Sequence, residues 1–520
     1  MRTLDEYPRR HAQRRPDKPA VIMGERVLTW GELDRNINRV AHALLDLGLQ
    51  RGERVAVMLP NCPEYFELYF GISRAGLVAV PTSYRLTVPE LVEILGLAEP
   101  TVLVASPGAA ETVAALQEQL PSLTQAVFLA TGHDEANAAP HVPGAVDYAA
   151  LLGPASDEPM ESPCEEGDTF AIFFTSGTTG LPKGAMVSHL NLEANGFNQF
   201  IADQSRPHDV NLVGTPLYHM GAVFMAITYI MMGCTQVVVE RFAPKAWLEN
   251  LQQHSTTVAL LVPTMLNQIL NFPEFGDYDL SSLRLVFYGG GPMPPAVLHR
   301  ALATLPCGFT QGYGLTETLE ASFLVASDHV LGGTEEQTVR LASAGREAVG
   351  ADIKIVDDDG AELGTGEIGE IIISSRSNIS GYFRNPEETA HAVRGRWFYT
   401  GDLGYLDKDR YLFVVDRKKD MVVSGGVNIY TKEIEAVIYT HPAVLEAAVI
   451  GLPDDEWGEI VTACVVVRDG ASLGDTEIVE LCRSNLAGYK KPRRVVFVDE
   501  LPKNPSGKIL KRELRTKLSD

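Results

Sequence analysis

The chain predicts an α/β fold: a large N-terminal domain of parallel α/β layers with a small barrel-like part, and a small α+β domain behind it. Three observations carry this. Short apolar runs alternate with segments of helical period through most of the first two thirds of the chain. After about residue 340 that alternation gives way to strands separated by Asp-Asp-Gly and Gly-rich turns, with no helix between the first two. After Asp416 the alternation returns for the remaining hundred or so residues.

The elements follow in order. Leu33, Ile37, Val40, Leu44 and Leu47 fall at helical spacing, and Gly48 supplies a C-terminal stop. Residues 55–59 form a buried strand, Pro63 opens a helix, 77–80 is a strand, 89–97 a helix and 102–105 a strand. This order predicts a parallel sheet covered on both faces. It resumes with a strand over 170–174, a helix from about 189, a strand over 211–215, and strands over 258–262 and 283–288, each of the last two followed by a helix. The apolar stretch 221–233 is too short to span a bilayer and is expected to be a buried helix. Strands over 352–356 and 367–375 belong to the barrel-like part, about 340–416. The last domain, 420–520, should hold a helix from Thr431, strands near 444–450 and 461–467, a helix near 476–486 and a strand over 494–498.

With 520 residues, 45% hydrophobic and 21% charged, the chain suits a multi-domain globular protein with large cores. Its net charge of −23 argues against nucleic acid or an anionic membrane as a general partner. The six cysteines, Cys62, Cys164, Cys234, Cys307, Cys464 and Cys482, contain no C-x-x-C, which fits neither a disulfide framework nor a zinc site and suits a cytoplasmic protein. The polar, basic start has no apolar core, so no signal peptide is expected.

The stretch that organises the chain is Thr175-Ser176-Gly177-Thr178-Thr179-Gly180-Leu181-Pro182-Lys183-Gly184. Its glycines let backbone approach a ligand, its hydroxyls and N–H groups can donate to phosphate oxygens, and Lys183 adds a point charge. A Walker A loop is excluded: Pro182 precedes Lys183, and Gly184 stands where Ser or Thr would hold magnesium. Taken alone, the stretch could also be a Gly/Thr surface turn. Gly289-Gly290-Gly291 follows a strand and leaves room for a flat ligand. In Gln311-Gly312-Tyr313-Gly314-Leu315-Thr316-Glu317, Tyr313 can stack on a purine, Thr316 can donate to a phosphate, and Glu317 offers a hard oxygen to Mg²⁺. Asp402, at the end of an apparent strand, can accept both hydroxyls of a ribose. Between Arg483 and Lys517 eleven Lys/Arg stand against three acids, a local +8 that suggests a polyanionic ligand.

These motifs, in this order from about Leu28 to the C-terminus, resemble the adenylate-forming superfamily, and within it the acyl- and aryl-CoA ligases. The resemblance implies ATP, Mg²⁺ and coenzyme A, and a small-molecule carboxylic acid as partner. It assigns Thr175 to Gly180, Lys183, Gly289, Gly290, Gly291, Gln311, Gly312, Tyr313, Gly314 and Thr316 to ATP or AMP. Asp402 and Arg417 would take the ribose, Glu317 the metal, and Lys419 would be the hinge. Lys508, in Pro502-Lys503-Asn504-Pro505-Ser506-Gly507-Lys508, would reach the carboxylate and α-phosphate and drive adenylation. Ser424, Gly425 and Gly426 would line the pantetheine tunnel, with Thr431 where the family usually has Pro. Trp457, Tyr489, Lys490 and Lys491 would meet CoA, a core or interface role being the alternative for Trp457. Tyr218, His219, Gly221, Ala222, Val223, Gly291 and Gly314 would bound the acyl pocket, with His219 orienting the carboxylate or packing as a buried neutral His. Relatives often carry Ala where Gly291 sits.

The reaction so implied makes an acyl-adenylate, releases pyrophosphate, and passes the acyl group to CoA. Nothing charged lies in the expected pocket beyond His219, so the acid should be uncharged: a medium or long fatty acid, or an aryl or alicyclic one. Met225, Met231 and Met232 suggest an adaptable apolar wall. The rivals are an acyl-AMP ligase that loads a carrier protein, a luciferase-like oxygenase working from the same adenylate, and a non-catalytic nucleotide-binding protein on this fold. A homodimer stays open; no integral membrane segment is expected.

Overall fold

A computed structural model describes residues 3–130, 142, 144–176, 182–291, 293–503 and 509–518, the side chain of Ser176 excepted. Four sheets organise them. In the first, six strands run parallel in the order Gly308–Leu315, Leu285–Tyr288, Val258–Leu261, Val210–Val213, Thr235–Val238, Pro19–Met23. Antiparallel strands close both edges: Leu319–Leu324 with Arg346–Glu347, and Arg26–Thr29. In the second, six parallel strands run from Ala145–Asp147 through Gln125–Phe128, Val102–Ala105, Arg54–Met58 and Val78–Pro81 to Thr169–Ser176. This is the layered parallel α/β architecture that the sequence predicts.

The elements form where the pattern places them. Helix Trp30–Asp46 begins at a capping box, Thr29 with Glu32. It buries Leu33, Ile37, Val40, Ala41 and Leu44 and stops at Gly48, whose φ of +89° a side chain would resist. Its neighbour Glu64–Arg74 packs closely because Gly71 has no side chain; a Cβ there would come within 2.6 Å of Val40 Cβ.

Three local features differ from expectation. The strand expected over 170–174 continues into an antiparallel hairpin, returning as Pro182–Ser188 before helix His189–Ala202 begins. The turn residues of Lys183-Gly184 mask this return strand in the sequence. Strand Gly308–Leu315 also folds back, as Leu319–Leu324. Asp402 lies inside strand Trp397–Leu406 rather than at its end.

The barrel-like part is an antiparallel sheet in the order Ala351–Val356, Gly369–Ser375, Trp397–Leu406, Val393–Arg394, with Leu412–Arg417 also on Trp397–Leu406. A helix, Pro386–Ala392, interrupts it. In the last sheet, Val427–Ile429, Val422–Ser424, Gly458–Val467 and Val444–Asp454 are antiparallel and Arg494–Phe497 joins parallel. Helices Thr431–Ile438, Asp475–Asn485 and Lys511–Leu518 accompany it. Thr431 begins its helix despite replacing the usual Pro: its N–H and Oγ1 both donate to Asp416 Oδ2, the hydroxyl at 2.8 Å. Among the described residues no helix is long and apolar enough to cross a membrane.

In the N-terminal core, Arg74 is a fully buried cation. Arg74, 0% exposed, meets Asp34 at 2.8 Å and Asp5 at 3.4 Å, and donates to Asn38 Oδ1 at 2.6 Å. Arg74→Met would leave the two acids uncompensated, so the first unfolding transition in urea should lose about 3–5 kcal/mol. An unchanged midpoint would show that the cluster carries no net stability.

Candidate active site

Glu317 lies in the turn between strands Gly308–Leu315 and Leu319–Leu324. Leu315 N–H donates to Thr318 Oγ1 at 3.0 Å across that turn. Leu319 takes φ +52°, a left-handed conformation that costs a branched residue about 1–3 kcal/mol and signals a turn held by its surroundings. The Glu317 carbonyl accepts from Ile379 N–H at 2.8 Å. Its Oε1 accepts from Thr175 Oγ1 at 3.2 Å and Tyr382 Oη at 3.0 Å. Burial first, then the Glu317 carboxylate, push the Tyr382 phenol well above its usual range, so it remains a donor.

Lys183 is buried on the return strand and ion-paired with Glu388, its Nζ 5.4 Å from the Tyr382 ring centroid. The point charge expected to face phosphate thus already has a carboxylate partner. Neither Tyr382 nor Glu388 was singled out in the sequence: Glu388 sits in a short helix some two hundred residues from Lys183, and no local pattern links them. Among the described residues no group of three or more His, Cys, Asp or Glu could hold a metal. Glu317 as a lone carboxylate fits Mg²⁺, which commonly binds one or two carboxylates and takes its other ligands from phosphates and water. Gly177, Thr178, Thr179, Gly180 and Lys508 lie outside the described residues.

Gly289 follows strand Leu285–Tyr288, and a Cβ there would come within 2.9 Å of Gly312 O. Gly290 takes φ +76°, and nothing described lies within 4 Å of a Cβ at Gly291, which leaves open space there. Behind them Tyr288 Oη lies 2.9 Å from His329 Nε2 and 3.5 Å from Gln311 Oε1. His329 Nδ1 lies 3.0 Å from Val325 O, which fixes the proton on Nδ1 and leaves Nε2 to accept from Tyr288.

Tyr313 Oη donates to Asp402 Oδ2 at 2.9 Å, and Arg417 Nε lies 3.1 Å from Asp402 Oδ1. Asp402 and Arg417 face each other across adjacent strands. The ion pair is close but poorly aligned, so among the described residues Oδ1 makes no hydrogen bond and can still accept one. Thr316 is half-buried in the same turn as Glu317.

On the acyl side, Tyr218, Ala222 and Val223 are buried. His219 is exposed rather than buried. It caps helix Met220–Met231, its Nδ1 accepting from Gly221 N–H at 3.2 Å, which puts the neutral ring's proton on Nε2. Gly314 does not face open space: a Cβ there would come within 1.6 Å of Leu319 O, so its missing side chain serves the hairpin. Glu320, outside the residues expected to bound the pocket, has its side chain against Gly312. An acid in a run such as Leu319-Glu320-Ala321 reads as a solvent-facing strand position.

The C-terminal candidates have partners of their own. Gly425 and Gly426 take φ +58° and +77° in the hairpin after Ser424. Gly425 N–H donates to Trp457 O at 2.8 Å. The Arg493 guanidinium lies over the Trp457 ring, 4.0 Å from its centroid. Lys490 pairs with Glu433 at 2.6 Å, Lys491 is half-buried and Tyr489 is exposed. Burial first, then Arg417, lower the pKa of Lys419.

Burial is also the first cause raising Asp203 to about 7 and Glu320 to about 8. Folded pKa values above the unfolded ones mean that the stabilising contribution is complete below the unfolded carboxyl range and is lost as pH rises through about 7–8. Glu320→Gln keeps the shape and cannot ionise. Its Tm relative to the parent should be lowest near about pH 4, where Glu320 is protonated in both states, and should rise steadily towards about pH 9; a difference that stays constant over that range would refute the buried acid.

Residues 8–383 match the AMP-binding enzyme family and residues 433–508 its C-terminal domain. The chain is 38% identical over 513 residues to a feruloyl-CoA synthase of an Amycolatopsis species, covering 98% of each chain. It is 35% identical to the fatty acid–[acyl-carrier-protein] ligase ScoC of Streptomyces coeruleorubidus, covering 99% of this chain and 96% of that one. Among solved structures, the amide bond synthetase McbA from Marinactinospora thermotolerans aligns with TM-score 0.87 at 30% identity, over 99% of this chain and 100% of that one. A match of this extent, over a fold in which Thr175 meets Glu317 and Tyr313 meets Asp402, makes the chain a member of the AMP-binding enzyme family.

Proposed function

We propose that this protein is an AMP-forming acid–CoA ligase acting on an uncharged aryl or fatty acid. The observation that supports it best is Glu317 held by Thr175 and Tyr382 beside the glycine-rich hairpin, in a member of this family. The acid's carboxylate attacks the α-phosphorus of ATP and pyrophosphate leaves. The thiol of CoA then attacks the acyl carbonyl and AMP leaves.

The residues divide the work. The loop from Thr175 through Ser176, with Lys183 steadied by Glu388, cradles phosphates, and preorganised donors there stabilise charge as it develops. Gly289, Gly290, Gly291, Gln311, Gly312 and Tyr313 hold the adenine; Asp402 and Arg417 hold the ribose. Mg²⁺ on Glu317 would neutralise phosphate charge. His219, donating through Nε2, orients the carboxylate, and Lys508 stabilises the adenylation transition state. Domains 1–416 and 420–520 then turn about Lys419, exchanging Lys508 for the Ser424, Gly425 and Gly426 hairpin. Tyr489 and Lys491 offer CoA contacts, and Lys490 does so on leaving Glu433. The free cysteines suit a cytoplasmic setting.

The test is pyrophosphate release from ATP and Mg²⁺ across acetate, octanoate, palmitate, benzoate and cinnamate, with and without CoA. Turnover that needs both acid and CoA supports the ligase. The likeness to a carrier-protein ligase supports a second reading, in which the acceptor is a phosphopantetheinyl carrier. A single-turnover burst indifferent to CoA would select that reading, and no release with any acid would contradict both. For the hinge, Lys419→Pro should leave adenylation intact and abolish thioester formation. Thioester formation at the parent rate would remove the hinge from the account.

A further inference from the structure

The hairpin that carries Glu317 carries a second carboxyl group that no step above uses. Glu320 is 8% exposed, and its Oε2 has no hydrogen-bond partner among the described residues. Oε2 occupies the space beside the α-carbon of Gly312: a Cβ there would come within 2.4 Å of it, and equally close to the ring tip of Phe287. The Phe287 ring meets Phe224 at 5.8 Å, and Phe224 lies three residues beyond Gly221 on helix Met220–Met231. Glu320 therefore sits where the acyl-side helix meets the glycine strand.

A second polar group reaches the same place from helix His189–Ala202. Asn195 Oδ1 accepts from Glu320 N–H at 2.9 Å, and Asn195 Nδ2 is buried with no partner among the described residues. One turn on, the Gln199 amide is fully used: its Oε1 accepts from Thr228 Oγ1, and its Nε2 donates to Asp203 Oδ2 and Met225 Sδ. Buried polar atoms in folded proteins are nearly always paired, so an orphan on the Glu320 side chain and another on the Asn195 side chain that meets its backbone point to a ligand group that completes them. Burial, and then the Asp203 charge, raise the Glu320 carboxyl to about 8, so at neutral pH it carries a proton to donate. The Asn195 amide is also a donor. Two donors call for an acceptor oxygen, and the apolar Phe224 and Phe287 rings suit a flat ring behind it.

We propose that Glu320 and Asn195 form the floor of the acyl pocket and select an aryl acid with a hydrogen-bond-accepting oxygen at the ring end far from its carboxylate. The inference rests on the ligase reading and narrows its substrate. Glu320 and Asn195 are specificity-determining residues that take no part in the bond changes.

The test compares kcat/KM for para-hydroxycinnamate, para-methoxycinnamate, cinnamate and octanoate, by CoA-dependent pyrophosphate release, in the parent protein, Glu320→Gln, Glu320→Leu and Asn195→Ala. The parent should prefer the oxygenated acids over cinnamate by at least about tenfold, the scale of one hydrogen bond. Glu320→Gln, still a donor, should keep most of that preference. Glu320→Leu should bring the ratio to about one, chiefly by raising KM for the oxygenated acids while cinnamate is untouched. Asn195→Ala, tested independently should Glu320→Leu not fold, should lower the same ratio. Equal kcat/KM for oxygenated and plain acids in the parent, or variants that slow every acid alike, would overturn the inference while leaving the ligase intact. No release with any acid would overturn the ligase reading and the inference together.

Discussion

The site depends on the placement of one carboxylate. Glu317 belongs to the nine-stranded sheet, Thr175 to the seven-stranded sheet, and Tyr382 follows the strand Gly369–Ser375 of the barrel-like sheet. Three separately built units thus meet at Glu317 Oε1. The ion pair of Lys183 with Glu388 repeats the connection, between the return strand of the seven-stranded sheet and the helix inserted in the barrel-like one. One ion pair, a threonine hydroxyl and a phenol that stays protonated near neutral pH hold strands Thr169–Ser176 and Pro182–Ser188 against the Glu317 turn and the barrel-like part. This is the preorganisation that phosphoryl chemistry asks of a protein, since the reaction gathers charge on oxygens rather than demanding a nucleophile from the chain.

The parallel strands and their helices were legible because each is a short apolar run bounded by turn residues, and periodicity reads such runs well. The motif residues were legible too. Thr175 meets Glu317, 142 residues away in the chain, and Asp402 meets Arg417 on the neighbouring strand. What escaped was pairing. Nothing near Lys183 announces Glu388, and nothing near Glu317 announces Tyr382. The return strands escaped because Lys183-Gly184 and the Thr318-Leu319 turn look like loop. Glu320 escaped because an acid in a strand normally faces water; only the packed hairpin shows it turned inward against Gly312.

The basic C-terminal stretch shows the same limit. Its local +8 suggested a polyanion, yet Lys490, Lys503, Lys511 and Arg515 are paired with Glu433, Glu446, Glu435 and Asp420. Arg493 lies on Trp457. Much of the charge thus holds the small domain together, and CoA would have to compete for Lys490 and for the ring of Trp457. A domain whose binding groups are occupied by one another in one arrangement and released in another is consistent with a two-step reaction on a shared site.

The central claim is that the acid is activated as an adenylate. It is tested most directly with an acid whose carboxylate oxygens carry a heavy isotope, incubated with ATP, Mg²⁺ and CoA. Attack of that carboxylate on the α-phosphorus, followed by loss of AMP to the thiol, must leave one labelled oxygen in the AMP phosphate. Mass spectrometry should find AMP carrying a single heavy oxygen. AMP without label, formed at the rate of thioester formation, would contradict the account.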